Sequence, residues 1–171
     1  MPDRLPRSFY ERDVLEVAPE LLGKHLVRVD PVGNPSSFVI TETEAYRGAE
    51  DLACHASKGR TPRTEVMFGE GGHLYMYFIY GMYWMMNVVT GPIGVPQAVL
   101  FRGIREADGP GKLTRKLGID GQFKGEDLVS SPRIWIGESG ITPGYTAGPR
   151  VGIDYANDPW KSKPWRFLMN L

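Results

Sequence analysis

The sequence has little of what defines several large classes of protein. Its single cysteine, Cys54, excludes an intramolecular disulfide and any metal site built from several cysteines. Its longest apolar run, residues 74–86, contains Gly81 and is shorter than the roughly 20 residues that a membrane-spanning helix needs. Residues 1–7 lack the apolar core of a secretory signal. These absences predict a cytosolic protein without a membrane segment.

The sequence also lacks an excess of charge of either sign. Lys and Arg together number 20, as do Asp and Glu, so the formal net charge is zero. This balance argues against a protein that coats nucleic acid in general, although a local basic surface is compatible with it. The 171 residues, 42% of them hydrophobic, suffice for one domain spanning residues 1–171. The 21 glycines and 14 prolines favour many short strands over long helices.

Alternating and β-branched segments predict most of the secondary structure. Strands are expected at residues 26–29, 38–46, 99–102, 133–136 and 165–168, and a hairpin at residues 73–87 with its bend at residues 80–82. Short helices are expected from the capping-box spacing of Ser8 and Glu11 and at residues 19–23, with proline at the first helical position. Gly109 and Gly111 precede a helix expected at residues 112–118. Glycines before a helix leave backbone N–H groups free to bind a phosphate. The alternative is a plain surface helix.

The motif Thr-Glu-Thr-Glu-Ala-Tyr at residues 41–46 is the most informative segment. Because side chains alternate along a strand, we expect Ile40, Glu42, Glu44 and Tyr46 to share one face. Two carboxylates and a phenol on one surface could activate water or stabilise a developing cation. The alternative is an edge strand whose polar face lies in water.

A second group of residues suggests contact with an anionic partner. The loop at residues 55–63 carries Lys58, Arg60 and Arg63 with no acidic residue before Glu65, although a solvated loop would look the same. Tyr80 at the hairpin bend should be exposed, and an aromatic tip flanked by basic residues could act as a wedge in stacked bases.

If the strands form one sheet, the candidate functional residues come together around the carboxylate. They are Glu44, Tyr46, His55, Tyr77, Tyr80, Asn87 and Arg102. Aromatic rings around a carboxylate suit a flat, cationic ligand such as a modified purine, because ring faces attract cations. Core packing of the tyrosines and a structural hydrogen bond of His55 are the alternatives.

Taken in order, these segments resemble one known family along nearly the whole chain. The matching residues are 42–46, 50–55, 61–68, 74–83, 86–87, 99–102, 109–113, 150–153 and 163–167. The combination of Glu-Thr-Glu-Ala-Tyr with Ile-Tyr-Gly-Met-Tyr is highly specific. The sequence resembles the alkyladenine DNA glycosylases, also called 3-methyladenine DNA glycosylases, in their non-helical vertebrate and bacterial form.

The resemblance implies a single α+β domain with a curved antiparallel β-sheet, a protruding β-hairpin and surrounding short helices. It implies a monomer that acts on double-stranded DNA with a damaged purine, without a cofactor or metal, in the bacterial nucleoid or, in a eukaryote, the nucleus. The expected lesions are 3-methyladenine, 7-methylguanine, ethenoadenine and hypoxanthine.

The resemblance also implies a role for each matched residue. Glu44 would be the general base that activates water, and Arg102 would lie near the base and the water. The expected walls of the base pocket are Tyr46, His55, Tyr77 and Asn87, with Asn87 obstructing the guanine amino group. Tyr80 would enter the duplex, and the DNA backbone would contact Lys58, Arg60, Arg63 and Lys112.

Two other classes of function stay open at this point. The carboxylates of Glu42 and Glu44 could serve a carbohydrate hydrolase, in which their separation would set the stereochemical outcome. Alternatively, the protein could bind damaged DNA without catalysing a reaction.

Overall fold

The organising element of the fold is one long strand. The computed structural model describes residues 2–171, and in it strand β2 (Pro35–Tyr46) pairs along its first half with β1 (His25–Val29). Its second half pairs with β5 (Gln97–Ile104) on one side and β9 (Arg166–Met169) on the other. Strand β2 therefore lies at the centre of the sheet, and its second half carries the Glu-Thr-Glu-Ala-Tyr motif between two neighbours.

The remaining strands extend the sheet from both sides of β2. They are β3 (Leu74–Ile79), β4 (Tyr83–Thr90), β6 (Ala107–Asp108), β7 (Ile134–Gly137) and β8 (Tyr145–Gly148). The strand order is β3-β4-β5-β2-β1-β7, with β6 paired to β5 and β8 paired to β9. All pairings among these strands are antiparallel. The predicted α+β fold with a curved antiparallel sheet is confirmed.

Three short α-helices cover the sheet and complete its core. They are α1 (Arg7–Tyr10), α2 (Val14–Glu20) and α3 (Pro110–Leu117). Helix α3 buries Leu113 and Leu117 and ends at Gly118, whose φ of 65° is the left-handed conformation that glycine adopts without steric cost. Within residues 2–171, no helix has the length and hydropathy to cross a membrane.

The predicted strands and the hairpin are confirmed, but the helix starts near the N-terminus are not. Helix α1 follows Pro6, so Ser8 lies inside the helix and forms no cap. Helix α2 begins after Asp13, whose side chain accepts a hydrogen bond from the Leu15 N–H, and Pro19 lies in its last turn. Burial of the apolar face of α2 outweighs the preference of proline for the first turn.

Strand β8 was not predicted, because the sequence Tyr-Thr-Ala-Gly at residues 145–148 lacks apolar alternation. Three of its four residues are exposed, and it pairs only with β9 among the described strands. Its place in the sheet thus depends on backbone hydrogen bonds to a neighbour rather than on a buried face.

The hairpin of β3 and β4 ends in a three-residue bend with an exposed aromatic ring. Tyr80 and Gly81 have φ values of 54° and 64°, and the Met82 N–H donates to the Ile79 carbonyl at 3.1 Å. The Tyr80 side chain is 86% exposed. This confirms the predicted protruding hairpin with Tyr80 at its tip.

Candidate active site

The Glu44 carboxylate is buried and is held by donors from three segments of the chain. Its exposed fraction is 0%. Its Oε1 accepts a hydrogen bond from the Tyr46 hydroxyl at 2.9 Å, and its Oε2 accepts one from the Val151 N–H at 2.7 Å. The Arg102 Nε lies 3.7 Å from the same Oε2. Burial raises the pKa of Glu44, and Arg102 opposes that rise. The fixed carboxylate is therefore a candidate general base.

The second carboxylate of the motif has a different environment. The Glu42 Oε2 lies 3.3 Å from the Arg102 Nε and also accepts a hydrogen bond from Arg166. Arg102 on β5 is therefore shared by the two carboxylates, and the positive charge beside Glu44 is partly compensated by Glu42.

Ile40 does not share the face of Glu44, contrary to the alternation expected from the sequence. It is fully buried in the main hydrophobic core together with Ala45. The pairing of β2 with β5 is irregular between Ile40 and Thr43, and an irregularity of this kind shifts the alternation of side chains. Glu44 and Tyr46 keep their predicted common face because they follow the irregular segment.

An aromatic cavity adjoins this carboxylate and extends to the hairpin. Its volume is about 500 Å³, within the usual range of small-molecule sites. It continues into an inner recess, and four side chains line both spaces: Tyr46, His55, Tyr77 and Tyr155. We call these four rings the junction. The three partners of Glu44, which are Tyr46, Val151 and Arg102, all line the outer cavity, as does Tyr80.

His55 is held in a fixed position as a neutral imidazole. Its Nδ1 lies 2.7 Å from the Tyr75 hydroxyl, and its ring packs edge-on against Tyr77 with centroids 4.5 Å apart. Burial, with the nearby Arg63 and Lys58, lowers the pKa of His55 to about 4. At neutral pH the side chain therefore presents an uncharged surface to the cavity.

The inner recess combines apolar side chains with fixed polar groups. Asn87 is buried there, and its Nδ2 donates to the Tyr75 carbonyl at 3.2 Å. Burial raises the pKa of the Cys54 thiol in the same recess to about 11, so this thiol is protonated at neutral pH. Among the described residues, no group of three or more His, Cys, Asp or Glu side chains is arranged to hold a metal ion.

A buried ion pair below the junction joins the segments that form it. Asp51 and Arg150 have side-chain exposures of 0% and are linked by two hydrogen bonds of 2.6 and 3.0 Å. The Arg150 guanidinium also donates to the Ala45 carbonyl at 2.9 Å and packs over the rings of Tyr46 and Trp165. This pair ties the end of β2 to the loop that leads to His55.

The sequence patterns assigned no role to the ion pair of Asp51 and Arg150. They also assigned none to Val151 and Tyr155, which line the cavity nearby. Asp51 and Arg150 are 99 positions apart in the chain, and Val151 contacts Glu44 only through its backbone N–H. Their segments were matched in the resemblance, but nothing local in the sequence indicates that they meet. Tyr155, the fourth ring of the junction, fell outside every matched segment.

The four predicted DNA-backbone residues are exposed but differ in their contacts. Arg60 forms a salt bridge with Glu65 at 2.6 Å, and Lys112 forms one with Asp108 at 3.1 Å. The Arg63 guanidinium lies 5.7 Å from the centre of the Tyr77 ring, so it borders the junction. Lys58 is exposed on the same loop. Of the four residues, Lys112 lines the outer cavity and Arg63 borders the junction, and contact of all four with DNA stays a prediction.

Comparisons with known proteins support the resemblance seen in the motifs. The family model described as Methylpurine-DNA glycosylase (MPG) matches residues 8–108 and 104–170. Proteins named "Putative 3-methyladenine DNA glycosylase" are similar along nearly their whole length. The chain is 47% identical to one from Wolbachia pipientis wMel over 95% of this chain and 89% of that protein. It is 44% identical to one from Legionella pneumophila (97% and 94%) and 43% identical to one from Methanocella arvoryzae (95% and 90%). The chain therefore belongs to the methylpurine-DNA glycosylase family and is a DNA glycosylase, a hydrolase of base excision repair.

Proposed function

We propose that this glycosylase, acting as one domain over residues 1–171 and as a monomer, removes alkylated and deaminated purines from duplex DNA. The substrates in this proposal are 3-methyladenine, 7-methylguanine, ethenoadenine and hypoxanthine. The observation that carries it is the buried Glu44 carboxylate, which accepts hydrogen bonds from Tyr46 and Val151, two residues that line the aromatic cavity. Because the target bond is inaccessible inside a duplex, the nucleotide must be flipped into this cavity.

The reaction follows from the charge that develops as the base leaves. The N-glycosidic bond breaks, its electron pair goes to the base, and the sugar gains oxocarbenium character. Water attacks the anomeric carbon and transfers a proton to Glu44, which leaves an abasic site and a free purine. A neutral base such as hypoxanthine must also take up a proton at its ring as it leaves. Alkylation at a ring nitrogen makes the base a cation and a good leaving group. The rings of Tyr46 and Tyr77 favour that charge through their faces.

The burial of Glu44 means that a side chain must move before water can reach it, and it also makes the reaction depend on pH. With Tyr46, Val151 and Arg102 covering the carboxylate, water reaches it once the side chain of Tyr46 or Arg102 shifts. Burial raises the pKa of Glu44, so excision of a cationic base such as 7-methylguanine should fall as pH decreases through that raised pKa. A rate that does not fall as the pH is lowered to the ordinary pKa of a glutamate would contradict a carboxylate base with this pKa direction.

The inner recess supports release of the base by water rather than through a covalent amine. No lysine lines the recess among residues 2–171, and Lys112 in the outer cavity pairs with Asp108. A Schiff-base mechanism requires an unprotonated amine at the sugar. We therefore propose a monofunctional glycosylase that does not cleave the strand.

Substitution of Glu44 by Gln tests the proposal, because it keeps the shape and removes the base. Single-turnover excision of hypoxanthine or ethenoadenine should fall by about 10²-fold or more, while binding to the lesion duplex changes much less. Alkali treatment after the incubation reveals the abasic sites. Excision at a nearly normal rate by the Glu44→Gln protein would refute the assignment.

Glu42→Gln is the matched control, because it removes a carboxylate two residues away that is paired with arginines. A carbohydrate hydrolase that used both carboxylates would lose its activity in either variant. We expect Glu42→Gln to lose less activity than Glu44→Gln, because Glu42 acts by holding Arg102 and Arg166. A protein that only bound lesions would keep its biological effect in Glu44→Gln.

A further inference from the structure

Tyr155 is the one ring of the junction that no sequence motif assigned to the site. It lies in the 3-10 turn Asp154–Ala156, a few residues after the Val151 N–H that binds Glu44. Its ring lines the inner recess and also the outer cavity, as do those of Tyr46, His55 and Tyr77. Tyr155 therefore lies where the outer cavity meets the recess.

The phenol end of Tyr155 is anchored although most of the side chain is exposed. Its hydroxyl donates to the Ala53 carbonyl at 3.0 Å, and the Ala53 N–H in turn donates to Asp51 at 3.0 Å. The side chain is nevertheless 64% exposed. Burial of its hydroxyl raises the pKa of Tyr155, so the hydroxyl remains a donor at neutral pH. The ring is thus fixed at the rim of the cavity without contributing much to the core.

We propose that the Tyr155 ring contacts the flipped purine nucleotide as the fourth aromatic wall of the junction and stabilises the flipped state. This inference rests on the proposed function, since it takes the flipped nucleotide as the ligand. An aromatic ring that faces a base contributes about 1–3 kcal/mol to binding, or roughly 5- to 150-fold in Kd. The hydrogen bond to Ala53 reduces the freedom that the ring would otherwise lose on binding.

The test measures binding in the Glu44→Gln protein, so that excision does not consume the substrate. The probe is a duplex with a single ethenoadenine, whose fluorescence reports its stacking against aromatic rings, and an undamaged duplex of the same sequence. Tyr155→Ala removes the ring, and Tyr155→Phe keeps the ring but removes the hydrogen bond. Tyr145→Ala is the matched control, because Tyr145 is a half-exposed tyrosine that lines a separate groove.

We expect Tyr155→Ala to weaken binding of the ethenoadenine duplex by about 5-fold or more and to leave binding of the undamaged duplex unchanged. Tyr155→Phe should keep most of the affinity, and Tyr145→Ala all of it. Thermal unfolding should be similar for all the variants, because Tyr155 is mostly exposed.

Two results would overturn the inference and leave the proposed function intact. In the first, Tyr155→Ala binds the lesion duplex as tightly as the parent protein does. In the second, Tyr155→Phe loses as much affinity as Tyr155→Ala, which would mean that the hydrogen bond to Ala53 and not the ring is responsible for binding. If the parent itself did not prefer the ethenoadenine duplex, the proposed function and the inference would fail together.

Discussion

Below the junction of aromatic rings, the side chains of Asp51 and Arg150 are wholly buried and hydrogen-bonded to each other, whereas at the hairpin tip the ring of Tyr80 is 86% exposed. These two regions lie at opposite ends of the same site. Around the ion pair, the N–H groups of Arg47 and Ala53 and the carbonyls of Ala45 and Trp160 are already paired in the free protein. At the hairpin tip, an apolar ring extends into water.

The difference separates the part of the site that is already arranged from the part that gains its contacts only with a ligand. A buried charge is tolerated only with a partner and satisfied hydrogen bonds, so the Asp51–Arg150 region must be in place before substrate arrives. An exposed ring contributes little to folding and can contribute to binding when it becomes covered. Substitutions at the two ends should accordingly affect stability and binding separately.

The largest expected effect is on folding, from Asp51→Asn. This substitution leaves the Arg150 charge buried without its carboxylate, and breaking such a pair costs about 3–5 kcal/mol in the free energy of unfolding. Urea unfolding at neutral pH measures it. Glu65→Gln is the control, because its ion pair with Arg60 is exposed, and we expect no measurable change there. Equal stability of the two variants would contradict a structural role for the buried pair.

The opposite end of the site should respond in binding and not in folding. Tyr80→Ala should weaken binding of a lesion duplex by about 1–3 kcal/mol, the contribution of one aromatic stacking contact, and leave the unfolding transition unchanged. Val32→Ala is matched to it in exposure, since Val32 is 85% exposed, and it should change neither quantity. Unfolding of the Tyr80→Ala protein, with normal excision per folded molecule, would identify Tyr80 as a core residue.

Between the two ends, Asn87 should govern which purines enter the recess. Its amide is held by the Tyr75 carbonyl, so an exocyclic 2-amino group would meet a fixed side chain. Asn87→Ser should raise the excision of 7-methylguanine relative to hypoxanthine by up to about 10-fold. Thr90→Ser, on the same strand but outside the cavity lining, should leave the ratio unchanged. A ratio unaltered by Asn87→Ser would mean that Asn87 does not gate the pocket.

The smallest expected effect concerns the basic loop beside the junction. Arg63 borders Tyr77 without a salt bridge to a carboxylate among the described residues, whereas Arg60 pairs with Glu65. Arg63→Ala should reduce the slope of log affinity against log salt by up to about 0.9 for undamaged duplex, as one phosphate contact is lost. Arg60→Ala should reduce it less. Identical slopes for the wild type and both variants, between about 50 and 200 mM salt, would exclude the loop from the interface.

Much of the fold and part of the site could be predicted from local sequence. Strand β2 and the hairpin of β3 and β4 follow from alternating and aromatic residues and from the bend at Tyr80 and Gly81. The common face of Glu44 and Tyr46 follows from the alternation of a strand. The helix starts near the N-terminus were predicted wrongly, since α1 follows Pro6 without a side-chain cap and α2 follows Asp13, whose carboxylate accepts from the Leu15 N–H.

The sequence by itself determined which chemical groups are available: a carboxylate and a phenol two residues apart on a strand, and an aromatic ring at a tight bend. Only the tertiary structure decided which groups surround them. The irregular pairing of β2 with β5 placed Ile40 in the core, and chain closure over 99 residues brought Arg150 to Asp51. Local periodicity acts over a few residues, whereas burial and charge pairing join segments of any separation. For that reason Glu44, Tyr46 and Arg102 could be named as candidates from the sequence, while the contact of the Val151 N–H with Glu44 could be read only from the fold.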